Sequence, residues 1–266
     1  MWPVVFSMFG VQIQSYGVSK ALAALVGAWL LGRAFRRFGY PAEQAHSLVL
    51  WATVWGFVAA KVYFLIDNRD HLSWHMLGSS GFVWYGGLIG GSLTVVVLTR
   101  RYKLPLATVA GAMAMPLSVA YGIGRIGCFL AGDGTYGAPT DLPWGMAFPN
   151  GVVPIAVPVH PAQLYEAAGA FAIAGVLLLL GRHWPPLSVF GAYLALSGLA
   201  RFLVEYVRVN DRVILGLTEA QLFGILSIMA GLGLMLVDRR RMAGGQTSWP
   251  DLDQHPVQRQ TLIDQH

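Results

Sequence analysis

The sequence predicts an all-α, polytopic membrane protein with seven transmembrane helices, its amino terminus outside and its carboxyl terminus in the cytoplasm. Three observations carry that prediction. First, 55% of the 266 residues are hydrophobic and only 12% are charged. A soluble domain carries about 25% charged residues, so this chain cannot coat a water-facing surface. Second, seven apolar stretches cover roughly residues 16–34, 46–66, 82–99, 107–130, 162–180, 187–207 and 219–237. Each approaches the about 20 residues that a helix needs to cross hydrocarbon. They are apolar without alternation, which argues against a β-barrel. Third, ten of the 18 Lys and Arg residues (Arg33, Arg36, Arg37, Arg100, Arg101, Lys103, Arg182, Arg239, Arg240 and Arg241) follow spans one, three, five and seven. The positive-inside rule places those connections in the cytoplasm. Arg69, Arg208 and Arg212 fall on the opposite side.

The elements follow in order. The first basic residue is Lys20, so the start lacks the charged region of a secretory signal peptide and is expected to be retained. Pro116 falls inside the fourth span and should bend it, which neighbouring helices make tolerable in lipid. Trp2, Trp74, Trp84 and Trp144 fit an outer interfacial belt. Residues 131–159 form an outer connection rich in Gly and Pro, long enough to be a functional cap. Residues 1–242 read as one transmembrane catalytic domain, and 243–266 as a polar, disordered cytoplasmic tail with Pro250 and Pro256. One cysteine excludes a disulfide framework and a cysteine-based metal site. Carboxylates are few and no histidine cluster exists, so no metal or cofactor is expected. The net charge of +5 sets orientation and does not point to nucleic acid.

Function shows in the polar residues that lipid should exclude. An ionised group in mid-membrane costs several kcal/mol, so it serves a site or pairs. Lys20, Lys61, Arg125, Glu166, Arg201 and Glu205 are such residues, and the topology above sends them all to the outer half of the bilayer. Arg201 and Glu205 are four apart and share a helix face. Lys61, Arg125 and Arg201 outnumber Glu166 and Glu205, so an anionic ligand such as a lipid phosphate could complete the balance. A purely structural ion network remains the alternative. The glycines of 121-YGIGRIGCFLAGDGTYG-137 and 85-YGGLIGG-91 allow close approach of either a ligand or a neighbouring helix. Cys128, beside Arg125, reads as a small apolar filler. His160-Pro161 reads as a helix start.

Taken together, GRIG in the fourth span, HPAQLYE at 160–166, YGGLIGG at 85–91 and RFLVEYVR at 201–208 resemble the prolipoprotein diacylglyceryl transferase family, over residues 16 to about 237. The resemblance implies transfer of diacylglyceryl from phosphatidylglycerol to the lipobox cysteine thiol of a prolipoprotein signal peptide, at the outer face of the bacterial cytoplasmic (inner) membrane. A thioether forms and glycerol phosphate leaves. It also implies that Arg125 and Arg201 hold the lipid phosphate and that Glu205 is the acidic partner one turn on. Tyr16, Gln163, Glu166 and Lys61 join the lipid site. The proton acceptor is left among His160, Tyr85 and Asp133. Five positions depart from the family pattern. Tyr85 stands where histidine is usual, Cys128 where asparagine is, Asp133 for a glutamate, Ser197 for a tyrosine and Lys61 for an arginine. Three rival readings remain: a paralogue with another acceptor, an anion transporter, and a lipid binder without chemistry. Against transport stand the missing internal repeats and the one-sided clustering of charge.

Overall fold

The computed structural model describes residues 2–8, 11–71, 76 and 81–244. Trp74 and the tail from residue 245 onward lie outside the described residues. Seven long helices form: α1 (Ser15–Arg37), α2 (Ala42–Asp67), α3 (Trp84–Arg101), α4 (Leu106–Ala131), α5 (Ala162–Leu180), α6 (Pro186–Val204) and α7 (Glu219–Ala243). Each coincides with one apolar stretch of the sequence. Among the described residues, six of these helices are long and apolar enough to cross a membrane, and α3 is not one of them. Its 18 residues include four glycines and the terminal Arg100–Arg101 pair, which dilute its apolar character. α4 runs through Pro116 without interruption.

An all-α reading omits three short antiparallel hairpins: β1 (Val4–Met8) with β2 (Val11–Gln14), β3 (Met146–Phe148) with β4 (Ile155–Val159), and β5 (Arg212–Ile214) with β6 (Leu217–Thr218). Strands of two to five residues are too short to print a period-two pattern on the sequence.

The chain divides into two compact units, one of the described residues of Met1–Gly27 and Ala110–Trp249, the other built on Ala28–Val109. In the first, Ala114, Leu177, Val189 and Ala192 of α4, α5 and α6 form a buried core. α6 and α7 touch backbone to backbone: a Cβ at Gly191 would lie 2.6 Å from the Gly231 carbonyl oxygen, and one at Gly198 2.5 Å from that of Gly224. Small residues permit this approach in lipid, where dispersion contacts replace the hydrophobic effect. Gly198→Leu is therefore expected to cost about 1–3 kcal/mol by overpacking, read as a lower thermal midpoint in detergent.

Two helix starts in this unit are closed by side chains. Asp238 of α7 is fully buried, and its Oδ2 accepts from the Ser188 amide at 3.0 Å and hydroxyl at 2.6 Å, capping α6 from a neighbour. α7 starts on a capping box of Thr218 and Gln221, which satisfies two otherwise orphaned amides. The connection 131–159 is folded, with Tyr136, Phe148 and Val159 packed against Phe129 and Ile155.

In the second unit, α2 and α3 pack through the glycines of the 85–91 run. A Cβ at Gly86 would meet the Ala59 carbonyl oxygen at 2.5 Å. Of the two uses the sequence left open for that run, helix packing is the one seen. Phe35 meets Tyr40 edge to face, and Ser47 bonds the Tyr102 hydroxyl at 2.8 Å.

Candidate active site

The end of α4, the start of α5 and the end of α6 carry the charged residues together. Glu166 lies in the second turn of α5, set by the helix start at His160-Pro161. Its side chain is buried, and four donors reach it. Arg125 Nε and the Tyr121 hydroxyl, at 2.9 Å, reach Oε2; Arg201 Nη1, at 3.4 Å, and Arg208 Nη1, at 3.1 Å, reach Oε1. Tyr121 and Arg125 are one turn apart on α4, so one helix face supplies both donors. Glu205, also buried, pairs with Arg201 Nη1 at 2.8 Å and with Arg208 Nε at 3.9 Å, and accepts from the Asn210 side-chain amide. α6 ends at Val204, and Glu205–Val207 continue it as a 3-10 turn.

Three guanidiniums thus face two carboxylates, leaving one positive charge. Removing such charges from water is costly, and only mutual pairing offsets it. Arg201 is the most exposed of the three, with 30% of its side chain accessible against 14% for Arg125 and 11% for Arg208. It is the fork best placed to reach a ligand. Burial, together with the neighbouring Arg201 and Arg125 charges, lowers the pKa of Arg208 from its ordinary value.

A second polar cluster adjoins the first through Cys128. Arg125 Nη1 lies 3.8 Å from the Cys128 sulfur, and the thiol hydrogen-bonds Asp133. Gly132 closes α4 at φ +63°, turning the chain so that both its amide and that of Asp133 bond the Cys128 carbonyl. Glycine suits that left-handed C-terminal position. Asp133 Oδ1 accepts from the Thr135 hydroxyl at 2.7 Å, the Thr135 amide at 3.1 Å and Gln163 Nε2 at 3.4 Å. Gln163 is fully buried. Cys128 is therefore a connector between the two clusters and more than apolar filling.

Burial pushes the Asp133 carboxyl up, but the bonds from Thr135, Cys128 and Gln163 outweigh it and hold the group below its ordinary value. A depressed carboxylate contributes stability that is complete above the unfolded-state value and is lost as pH falls through the folded one. Thr135→Val removes a donor to the charged form. It is expected to lower stability at neutral pH and to shrink the acid-induced loss, which starts near the ordinary carboxylate value of about 4 in both proteins but ends at higher pH in the variant, as followed by thermal unfolding in detergent.

His160 Nδ1 lies 3.2 Å from the Tyr165 hydroxyl, which accepts from Trp144 Nε1 at 2.8 Å. The His160 backbone pairs with Gly137, and Gly137 bridges to Arg208. The folded connection 131–159 is thereby tied to the arginine that joins both glutamates. Tyr16 stands at the start of α1, and Lys20 Nζ lies 4.9 Å from its ring centroid. A Cβ at Gly124 would meet that ammonium at 3.2 Å, so Lys20 points to the residue next to Arg125.

Of the residues read from the sequence, Arg125, Arg201, Glu166 and Glu205 are joined directly, and Asp133, Gln163, His160, Tyr16 and Lys20 belong to the same unit. Lys61 and Tyr85 belong to the other. There Lys61 Nζ sits 5.3 and 5.0 Å from the Phe64 and Phe82 ring centroids, and Tyr85 packs edge to face on Trp84. Sequence reasoning missed Arg208, counting it only as a loop charge, although it lies three residues after Glu205. It also missed Tyr121, four residues before Arg125, and Asn210.

The profile of the prolipoprotein diacylglyceryl transferase family matches residues 3–237 of the chain. The chain belongs to that family. Among its relatives, a phosphatidylglycerol–prolipoprotein diacylglyceryl transferase of Clostridium tetani is 32% identical over 91% of this chain and 99% of its own length. A protein of the same name from Geobacter sulfurreducens is 32% identical over 91% and 97% of the respective chains. One from Pseudomonas putida is 32% identical over 88% and 92%. In this prolipoprotein diacylglyceryl transferase family member, the matched span takes in every helix that carries the charged cluster.

Proposed function

We propose that this chain transfers the diacylglyceryl group of phosphatidylglycerol to the lipobox cysteine thiol of a prolipoprotein. In this reading the chain crosses the cytoplasmic membrane seven times, with its amino terminus outside and the arginine cluster in the outer leaflet. Residues 1–242 act as one catalytic domain. The observation that carries the reading is the meeting of Arg125, Arg201 and Arg208 on Glu166, with one positive charge in excess. A phosphodiester carries the one negative charge that balances it, and guanidinium forks match its oxygens.

Arg125 and Arg201 clamp the lipid phosphate, while Glu166 and Glu205 hold the two forks in place. The acceptor's thiolate sulfur attacks the glyceryl carbon bonded to the phosphate oxygen. A carbon–sulfur bond forms, the carbon–oxygen bond breaks, and glycerol phosphate leaves with the electron pair. Arginine charge stabilises the oxygen on which negative charge develops, and the same field favours thiolate over thiol. The thiol proton goes to His160 or Asp133, the two candidates in the unit that holds the arginines. The bonds that depress Asp133 make it a weaker base than an ordinary carboxylate.

Purified protein, phosphatidylglycerol and a lipobox peptide are expected to give a peptide heavier by one diacylglyceryl group in mass spectrometry. A folded protein that binds phosphatidylglycerol and leaves the peptide unchanged would make it a lipid binder without transfer.

A further inference from the structure

We propose that the β5–β6 hairpin is an interfacial anchor that inserts its tip into the surface of an anionic lipid leaflet beside the charged cluster. This inference does not depend on any transfer reaction. The hairpin begins four residues after Arg208, beyond the end of α6, and ends at Thr218, the cap of α7. Its turn residues are Leu215 at φ +52° and Gly216 at φ +73°, between the paired Ile214 and Leu217. Such a two-residue turn favours Asn, Asp or Gly at its first position, because a Cβ there crowds the backbone. Leucine is the wrong residue for the turn and the wrong residue for water, yet it is 93% exposed. It satisfies neither local geometry nor folding, which points to a partner outside the chain.

The partner's chemistry follows from the surroundings. Val213 lies where the pairing register shifts between Arg212 and Ile214, and both Val213 and Ile214 are exposed, so no described part of the chain covers them. An uncovered, convex apolar tip can enter a fluid layer but cannot cradle a helix or peptide. Tyr206 and Val209 lead into it and are exposed as well. Tyrosine is enriched where membrane meets water. Exposed Arg212 stands at the base of the hairpin, its Nη1 bonding the Gly216 carbonyl at 3.2 Å. That places a cation beside the apolar tip, the arrangement that pairs with an anionic headgroup while the tip sits deeper.

The test places an environment-sensitive fluorophore on Val213→Cys in a Cys128→Ser background, with the full chain reconstituted in vesicles. In vesicles containing phosphatidylglycerol, the probe is expected to show blue-shifted emission. Nitroxides attached high on the acyl chains should quench it, and aqueous iodide should not. Leu215→Asn suits the turn better, so a merely structural role would leave the probe where it is. Insertion predicts instead a return toward water-like emission and several-fold stronger iodide quenching. Zwitterionic vesicles should weaken insertion of the parent hairpin. Water-like emission in the parent, or identical behaviour of Leu215→Asn, would overturn the anchor. So would a probe shielded only after a signal-peptide-like segment is added, which would make the hairpin a peptide contact. None of these readings uses lipid turnover, so failure here leaves the proposed transfer untouched.

Discussion

Arg125→Ala is expected to lower transfer of labelled diacylglyceryl to a lipobox peptide in proteoliposomes by at least about two to three orders of magnitude. Losses of that size follow when one preorganised donor to a developing oxyanion is removed. Two features should keep the variant folded. Glu166 retains Tyr121, Arg201 and Arg208 as donors, and two arginines then face two glutamates. The fold therefore survives while the excess positive charge disappears. Arg125→Lys restores charge without the planar fork and should recover only part of the rate. Full activity in Arg125→Ala would remove the clamp from the mechanism.

Glu166→Ala should have the opposite signature, a large loss of stability. One carboxylate receives Arg125, Arg201 and Arg208, and without it three half-buried cations face Glu205 alone. Breaking a buried pair by deleting one partner costs about 3–5 kcal/mol, and here a single deletion orphans several partners. Thermal unfolding in detergent reads the effect. Glu166→Gln keeps the volume and an accepting oxygen, so it should fall between Glu166→Ala and the parent. An unfolding midpoint equal to the parent's in Glu166→Ala would sink the idea that this carboxylate holds the arginines.

Much of this site is legible in the sequence. Apolar runs give away membrane helices because lipid demands continuous hydrophobicity, and each stretch became a helix. Arg125, Glu166, Arg201 and Glu205 stood out because ionised residues inside such runs are costly. Arg208 escaped the same logic by one residue: it follows the candidate span Pro186–Val207, and beyond a span a charge looks cheap. Tyr121 escaped because a tyrosine is unremarkable in an apolar helix, and only the folded chain places its hydroxyl on Glu166. Lys61 marks another limit. Depth along a helix can be read from sequence, but rotation about its axis and the choice of neighbours cannot. Its aromatic partners Phe64 and Phe82 include one from the same helix and one from beyond it. The hairpins were invisible for the simplest reason, their brevity.

The odd charge at the arginine cluster bears on the order of events in turnover. A phosphodiester donor brings one negative charge, whereas a phosphate monoester approaches two at neutral pH, its second ionisation lying near 6. The single excess charge of the cluster therefore matches the lipid, whereas the departing fragment leaves the pocket one negative charge over. Charge then favours product egress, and free glycerol phosphate should compete with fresh lipid less strongly as the medium turns alkaline.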